Sequence, residues 1–287
     1  MTFLSSLVYC PIMEPYTVFN YLLHGILSPT ILFLFIYTCI TSLLTLLATS
    51  CYLHRSQSHR SVYFIAPINH FFRLILWLFT GMNTKEWVSV HRKHHAKCDT
   101  PEDPHSPRYF GIKKILLEGA DIYTKAGADK KLLKEYGDGT PNDWLERTVY
   151  GAQRKLGIGI TLIVELILFG LPALIIWSIQ MLVIPIIAAG FINGIAHVWG
   201  YQRYKDGELR DDGKVFKRIG GALNVPTYGL AVGEEFHNNH HAYMDRYKFS
   251  HAWYEFDLSG TIIELLTWIG FAWVPRNKKS TRIPDVV

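Results

Sequence analysis

The stretch TILFLFIYTCITSLLTLLATSCYLHRSQSH at residues 30–59 joins two features that organise the whole chain. Its first part, residues 30–52, is almost entirely apolar and contains no charged side chain. A helix of this length rises about 34 Å, enough to cross a bilayer hydrocarbon core of about 30 Å. His54 and His59 follow directly. The stretch therefore predicts a membrane span that ends at a pair of histidines.

The distribution of charge predicts further spans. Charged residues make up 18% of the chain, below the roughly 25% of an ordinary soluble domain. Residues 1–54 contain no Lys or Arg, and in residues 157–200 the only acidic or basic residue other than histidine is Glu165. This second apolar region predicts two more spans, at residues 158–179 and 181–199, joined by a tight turn. The net charge of +5 comes from bases interspersed with acids, which argues against a nucleic-acid-binding protein.

The remaining segments suggest a water-facing body. Residues 62–81 are apolar but contain Pro67, Asn69, His70 and Arg73, so they predict an interfacial or re-entrant helix and no full crossing. Residues 85–155 and 201–287 are polar and predict a cytosolic cap. The expected fold is an all-α integral membrane protein, one domain over residues 1–287, with a di-metal site between a few transmembrane helices and the cap. Four cysteines without a C-x-x-C pair argue against cysteine-ligated metals.

Eight of the thirteen histidines form three clusters. Besides HRSQSH at residues 54–59, the pattern H-x-x-H-H occurs in HRKHH at 91–95 and in HNNHH at 237–241. Chance would give about 0.03 such matches in this composition. On a helix, positions i, i+3 and i+4 share one face, whereas His54 and His59 require a helix end or break to converge. Imidazoles bind zinc, copper, iron or nickel, and eight ligands exceed the four of a zinc site, so the clusters predict two metals. The candidate ligands are His54, His59, His91, His94, His95, His237, His240 and His241.

Several other polar residues are candidates for the same site. Asn193 and His197 are four residues apart near the end of the last predicted span, where a polar side chain is rarely without a role. We expect His197 to be a ninth ligand and Asn193 to contact a metal-bound water. Asp103 and Glu234 lie close in sequence to the H-x-x-H-H motifs and could orient imidazole N–H groups. We expect His24, His70, His105 and His251 to be structural.

The three motifs, HRSQSHR, HRKHH with the following DPHSP, and GEEFHNNHHAY, resemble those of membrane fatty-acid desaturases. TKEWVSVHRKHHAKC and DWLERTVYG are most similar to bacterial delta-9 acyl desaturases. The resemblance implies two iron ions (Fe2+) held by the nine histidines, with Asn193 binding one iron through water. It also implies a mushroom shape, in which membrane helices carry a cytosolic cap.

The resemblance further implies an O2-dependent enzyme that introduces a cis double bond into phospholipid-linked or CoA-linked acyl chains. Its expected partners are the acyl lipid or acyl-CoA, O2 and a separate electron donor of ferredoxin, flavodoxin or cytochrome type, because no His-Pro dipeptide of a fused cytochrome b5 occurs. The expected location is the bacterial cytoplasmic membrane, crossed several times, with the active site on the cytoplasmic side. The alternatives are a membrane di-iron hydroxylase or alkane monooxygenase, and a metal transporter or sensor.

Overall fold

The computed structural model describes residues 15–210 and 212–275, and their regular structure is almost entirely helical. Within these residues the α-helices are α1 Pro15–His24, α2 Ile31–Leu47, α3 Ala66–Phe79, α4 Thr84–Lys97, α5 Pro107–Phe110, α6 Ile112–Gly127, α7 Lys130–Tyr136, α8 Arg154–Phe169, α9 Pro172–Ile184, α10 His237–Ala242 and α11 Leu258–Trp268. Wider π-helical turns form Ala48–Ser58, Glu146–Tyr150 and Pro185–Ile192, and a 3-10 turn forms Ile195–His197. Two short strands, β1 Tyr63–Phe64 and β2 Ala272–Trp273, pair antiparallel.

Two continuous helices are long and apolar enough to cross a membrane. They are Ile31–Ser58, which is α2 with its π-helical extension, and Pro172–His197, which is α9 with the turns that follow it. Large apolar side chains on these helices face outward, and Ile31 and Ile175 expose 87% and 68% of their surface. Exposed apolar faces of this extent are typical of membrane-contacting surfaces. The two helices therefore indicate association with a membrane.

The turn between the second and third expected spans is not where the sequence analysis placed it. The predicted link between residues 179 and 181 lies inside α9, and the chain instead turns at Gly170, between α8 and α9. Gly170 has φ +68°, and a Cβ there would lie 2.7 Å from the backbone nitrogen of Gly25. Only glycine tolerates both this conformation and this contact, and Pro172 then starts α9. The prediction was wrong because the polar residues Ser178 and Gln180, which suggest a link between two helices, both lie inside one helix.

We expected the helix that begins at Ile31 to end or break at His54 and His59. It instead continues to Ser58 with wider turns. Thr30 starts it by accepting a hydrogen bond from the Phe33 N–H at 3.2 Å. From Ala48 onward the turns are π-helical, and the His59 N–H donates to the His54 carbonyl, five residues back, at 3.2 Å. In such a turn residues i and i+5 lie on nearly the same side. The wide turn therefore brings the two imidazoles together, with ring centres 5.0 Å apart.

The main apolar core holds this π-helical segment in place. Buried side chains of the segment pack against α3, α11 and the β1–β2 pair. The core formed in this way includes Cys51 and Leu53 of the segment and their neighbours Phe72, Leu76, Ile263 and Ala272. On the other side, α4 packs against the same segment and against α7, while α6 packs against Pro185–Ile192. The three histidine motifs are thereby placed on elements that meet at one end of the long helices.

The helix α3 tests the expected topology of residues 62–81. Its 14 residues rise only about 21 Å, which is less than the hydrocarbon thickness of about 30 Å. Arg73 on this helix is buried and pairs with Asp143 at 2.7 Å and with Glu146 at 2.9 Å, so α3 lies against a polar part of the chain. We therefore expect reporter fusions after Arg60 and after Lys97 to give the same orientation signal. Opposite signals would show that α3 crosses the membrane.

Candidate metal centre

All nine histidines predicted as ligands converge into two adjacent groups. Group one consists of His54, His59, His91, His95 and His240, and group two consists of His94, His197, His237 and His241. Within each group, one ring nitrogen of every histidine lies within 4.8 Å of those of the others. All are buried except His59, which is half-buried. The three motifs and His197 thus meet in space, and the role of these histidines as metal ligands stays a prediction.

Helices α4 and α10 each contribute to both groups, in opposite ways. On α4, His91 and His95 belong to group one and His94 to group two. On α10, His237 and His241 belong to group two and His240 to group one. In each motif the residues at i and i+4 point one way and the residue at i+3 points the other way. The repeated H-x-x-H-H pattern thus builds two sites at once.

The imidazoles face one another through their Nε2 atoms. The Nε2–Nε2 distances are 2.9 Å for His54–His240, 2.9 Å for His59–His91, 2.9 Å for His95–His240, 3.0 Å for His197–His237 and 3.3 Å for His94–His241. Imidazole–metal bonds are about 2.0–2.1 Å long, so ligands at adjacent corners of an octahedron are about 3.0 Å apart. The spacing of the nitrogens fits a metal ion in each group.

Carboxylates behind three of the rings fix which nitrogen carries the proton. Glu234 faces the Nδ1 of His54 at 2.5 Å, and Asp103 faces the Nδ1 of His94 at 2.9 Å. An ionised carboxylate can only accept, so these Nδ1 atoms donate and the Nε2 lone pairs point into the groups. Burial alone would raise the carboxyl pKa values, but the neighbouring His54 and Arg55 lower the pKa of Glu234 to about 2. His94 likewise lowers the pKa of Asp103 to about 2.

A third carboxylate, Asp99, was missed by the sequence analysis. Its Oδ2 lies 3.3 Å from the Nδ1 of His197, and it also accepts hydrogen bonds from Ser106 and from the backbone of Gly221. Burial opposes its ionisation most strongly, but His197, Ser106 and the Gly221 N–H together outweigh it and lower the Asp99 pKa. Its position four residues after the HRKHH motif could have indicated that it lies near the histidines. Its partner is 98 residues away, however, and only the folded chain brings the two together.

His105 is closer to the site than its assignment as a structural residue suggests. It is buried, and its ring stacks on that of His94 with centres 4.3 Å apart. On the other face it stacks on Tyr123 at 5.6 Å. Desolvation, followed by the nearby His94, lowers the pKa of His105 to about 3, so the ring is neutral at physiological pH. A neutral ring in this place supports the orientation of His94.

A mainly apolar cavity of about 450 Å³ reaches the histidines. Its apolar lining includes Leu46, Phe79, Met181, Ile184 and Ile192. Its polar lining includes His54 and His91 of group one, His237 of group two, and also Glu86, Arg154 and Lys155. Asn193 lies on this wall and is half-buried. This is a suitable position for contact with a water near group two, and the water-mediated role of Asn193 stays a prediction. Both groups therefore border one apolar chamber.

The hydrogen bond from His94 to Asp103 allows a direct test of the second layer of the site. Asp103→Asn keeps the size of the side chain but removes the charge that holds the proton on Nδ1. We expect affinity for iron to fall by about 10–100-fold, as for other carboxylate partners of metal-bound histidines. Competition with a chelator would measure it. Asp138→Asn, whose carboxylate is 94% exposed, is the matched control, and equal affinities in the two variants would contradict the role of Asp103.

The fold and the site define a class of protein: a membrane-type helical protein with two adjacent histidine-rich sites suited to a pair of metal ions. The family model described as Fatty acid desaturase matches residues 29–258. The chain therefore belongs to the fatty acid desaturase family, and the resemblance drawn from its histidine motifs is confirmed.

Characterised relatives act at several acyl positions. The chain is 26% identical to the palmitoyl-monogalactosyldiacylglycerol delta-7 desaturase of Arabidopsis thaliana, over 79% of this chain and 57% of that protein. It is 28% identical to the acyl-CoA C20 delta-5 desaturase of Anemone leveillei, over 78% of this chain and 67% of that protein. It is 29% identical to the sn-1 stearoyl-lipid 9-desaturase of Synechocystis, over 76% of this chain and 64% of that protein. The matches thus span about three fifths to two thirds of the relatives' length.

Proposed function

We propose that this chain is an O2-dependent fatty-acyl desaturase that forms a cis double bond, at the delta-9 position, in a phospholipid-linked or CoA-linked chain. The observation that carries the proposal is the mainly apolar cavity lined in part by histidines of both groups. The names of the relatives include delta-5, delta-7 and delta-9 positions, and the delta-9 assignment comes from the closer resemblance of the motifs around HRKHH to delta-9 enzymes.

The histidine groups fit two iron ions better than one zinc ion. A zinc site takes four ligands, whereas nine imidazoles in two groups leave room for two ions with open positions. When bound, two irons would supply the reducing and oxidising power needed to cleave O2 and to break unactivated C–H bonds. Purified protein is expected to contain about two irons per chain. One zinc per chain, with no iron after anaerobic reconstitution, would contradict this assignment.

The chain's own residues position and shield the reacting groups. The apolar walls of the cavity would bind an acyl chain and exclude water, with a volume in the usual range of about 300–1,000 Å³ for ligand sites. Because His54, His91 and His237 all border the cavity, two neighbouring methylene groups can lie beside both histidine groups. Glu234, Asp103 and Asp99 keep the protons on Nδ1, so that the Nε2 atoms remain available as ligands.

The balanced reaction requires electrons from outside the substrate. One –CH2–CH2– unit, O2, two electrons and two protons give one –CH=CH– unit and two waters. Two C–H bonds break, O2 is reduced by four electrons, and the acyl chain provides two of the four. A separate donor must provide the other two. We propose that the reaction takes place on the cytoplasmic side of a bacterial membrane that the chain crosses several times, because the basic segments lie beside the histidine motifs.

The direct test is expression in a host without its own desaturase, followed by gas chromatography of the lipids. The expected result is a new monounsaturated fatty acid, and mass spectrometry of derivatives would locate its double bond. Hydroxylated chains in its place would favour the alternative membrane hydroxylase. Unchanged lipids from a host that contains iron-loaded protein and a working reductase system would contradict the proposal.

A further inference from the structure

The loop at residues 217–221 is exposed at Lys217 and Arg218 and contacts group two at the buried Gly221. The backbone N–H of Gly221 donates to the Asp99 carboxylate at 2.6 Å, and the same carboxylate oxygen lies 3.3 Å from the Nδ1 of His197. A Cβ on Gly221 would be 3.2 Å from the His197 carbonyl oxygen, so loop and ligand are in contact. Two consecutive hydrogen bonds therefore connect the backbone of the buried Gly221, three residues after the exposed Arg218, to a histidine of group two.

Basic side chains surround this loop. Arg108 is 59% exposed and approaches Asp99 at 3.7 Å, while Lys217 and Arg218 are exposed on the loop itself. Lys97 is held beside the loop because the thiol of the next residue, Cys98, donates to the Ile219 carbonyl at 3.6 Å. One turn earlier on α4 is Lys93. We call Lys93, Lys97, Arg108, Lys217 and Arg218 the basic rim.

The acidic groups near the rim are fewer, and most are already engaged. Glu102 pairs with Lys97 at 2.9 Å, and Asp206 accepts hydrogen bonds from the backbone of Ile219 and Gly220. The buried Asp99 is taken up by His197, Ser106 and Gly221. Across residues 15–210 and 212–275, neither Lys217 nor Arg218 forms an ion pair. The five basic side chains outnumber Glu102, Asp206 and Asp99, so the rim keeps a positive balance, and Lys217 and Arg218 are available to an external partner.

The basic residues near group one are arranged differently. Arg92 is close to His59 in the fold, but its guanidinium donates to the carbonyls of Gln57, Ser58, Tyr136 and Asp138. Arg60 donates to the same Asp138 carbonyl at 2.9 Å. These guanidinium groups hold the chain's own loops together. Their N–H donors are therefore occupied and less available to a partner than the exposed side chains of Lys217 and Arg218.

We infer that the basic rim docks a small acidic one-electron carrier protein, and that electrons enter group two through Asp99 and His197. The inference rests on the proposed function, because the desaturation consumes two external electrons. Two carrier molecules would dock one after the other, and each would donate one electron. Electron-transfer encounters use small polar interfaces, and opposite charges accelerate them by about 10–1,000-fold. The basic rim has the charge that such an encounter needs. The hydrogen bonds from Gly221 to Asp99 and between Asp99 and His197 connect it to group two.

The test compares two double charge reversals in the full-length, iron-loaded protein. Lys217→Glu/Arg218→Glu changes the rim, and Lys130→Glu/Lys131→Glu makes the same change on two exposed residues at the start of α7. Binding of a labelled plant-type ferredoxin and of a soluble cytochrome b5 domain, both acidic, is followed by fluorescence anisotropy at low and high salt. Turnover is measured in parallel with each reduced carrier, and with dithionite and methyl viologen.

We expect wild-type protein to bind at least one of these carriers more weakly as salt rises. The rim variant should raise the Kd for it at least tenfold and lower carrier-driven turnover to a similar extent, with chemically driven turnover within twofold of wild type. The α7 variant should stay within twofold throughout. Salt-independent binding, binding of neither carrier, or equal Kd values in both variants would overturn the docking site. Absence of wild-type turnover with both reduced carriers and with the chemical reductant would instead count against the proposed desaturase function.

Discussion

His197→Ala is expected to abolish desaturation and to lower the iron content from about two to about one per chain. Group two has only four histidines, so the loss of His197 leaves three and also removes the partner of Asp99. The loss of activity should exceed the about 10–100-fold that follows removal of an outer hydrogen-bond partner. Protein yield should stay near normal, because the missing ring lies at the end of the apolar helix Pro172–His197 and not within the apolar core.

Two variants make this result specific. Asn193→Ala should lower activity less, because a water-mediated contact is weaker than a direct ligand. His70→Ala should keep near-normal turnover, because His70 lies on α3 and outside both groups. The measurements are iron content by mass spectrometry of the metal and product formation in membranes. A His197→Ala protein with two irons and wild-type turnover would remove His197 from the site.

Arg55→Met is expected to cause the largest loss of stability. Arg55 has no exposed surface, and its guanidinium bonds both oxygens of Asp257, at 3.0 and 3.1 Å, and one oxygen of Glu234 at 2.5 Å. It also stacks on Phe249 at 3.6 Å. Methionine would leave the buried Asp257 charge without its partner, which costs about 3–5 kcal/mol. For a protein of this size the Tm should fall by roughly 10 °C.

Controls separate the buried charge from general effects of the change. Arg60→Met should change the free energy of unfolding by less than about 1 kcal/mol, because the Arg60 side chain is 44% exposed and its ion pair with Asp138 is on the surface. Adding Asp257→Asn to Arg55→Met should recover part of the lost stability, because the unpaired charge disappears. Thermal denaturation of detergent-solubilised protein would measure all three. An unchanged Tm for Arg55→Met would show that the ion pair contributes no stability.

Local patterns in the sequence were sufficient to predict which histidines come together. The spacing i, i+3 and i+4 fixes which face of a helix a histidine occupies, so HRKHH and HNNHH could be interpreted without knowing their neighbours. The division into two groups was not predictable, because it depends on how α4 and α10 lie against each other. The wide turn at His54–His59 was also missed, since π-helical hydrogen bonding is set by packing. Asp99 was missed for a similar reason, because its partner is remote in the chain.

Because α4 and α10 each carry histidines of both groups, binding of a metal ion in one group should affect binding in the other. An ion in group one would fix His91, His95 and His240, and thereby the two backbones that also carry His94, His237 and His241. The second ion then meets ligands whose conformational entropy has already been reduced, which amounts to a favourable coupling free energy between the sites. Anaerobic Fe2+ titration of metal-free protein should therefore be sigmoidal, and half-loaded chains should be scarcer than independent sites would give.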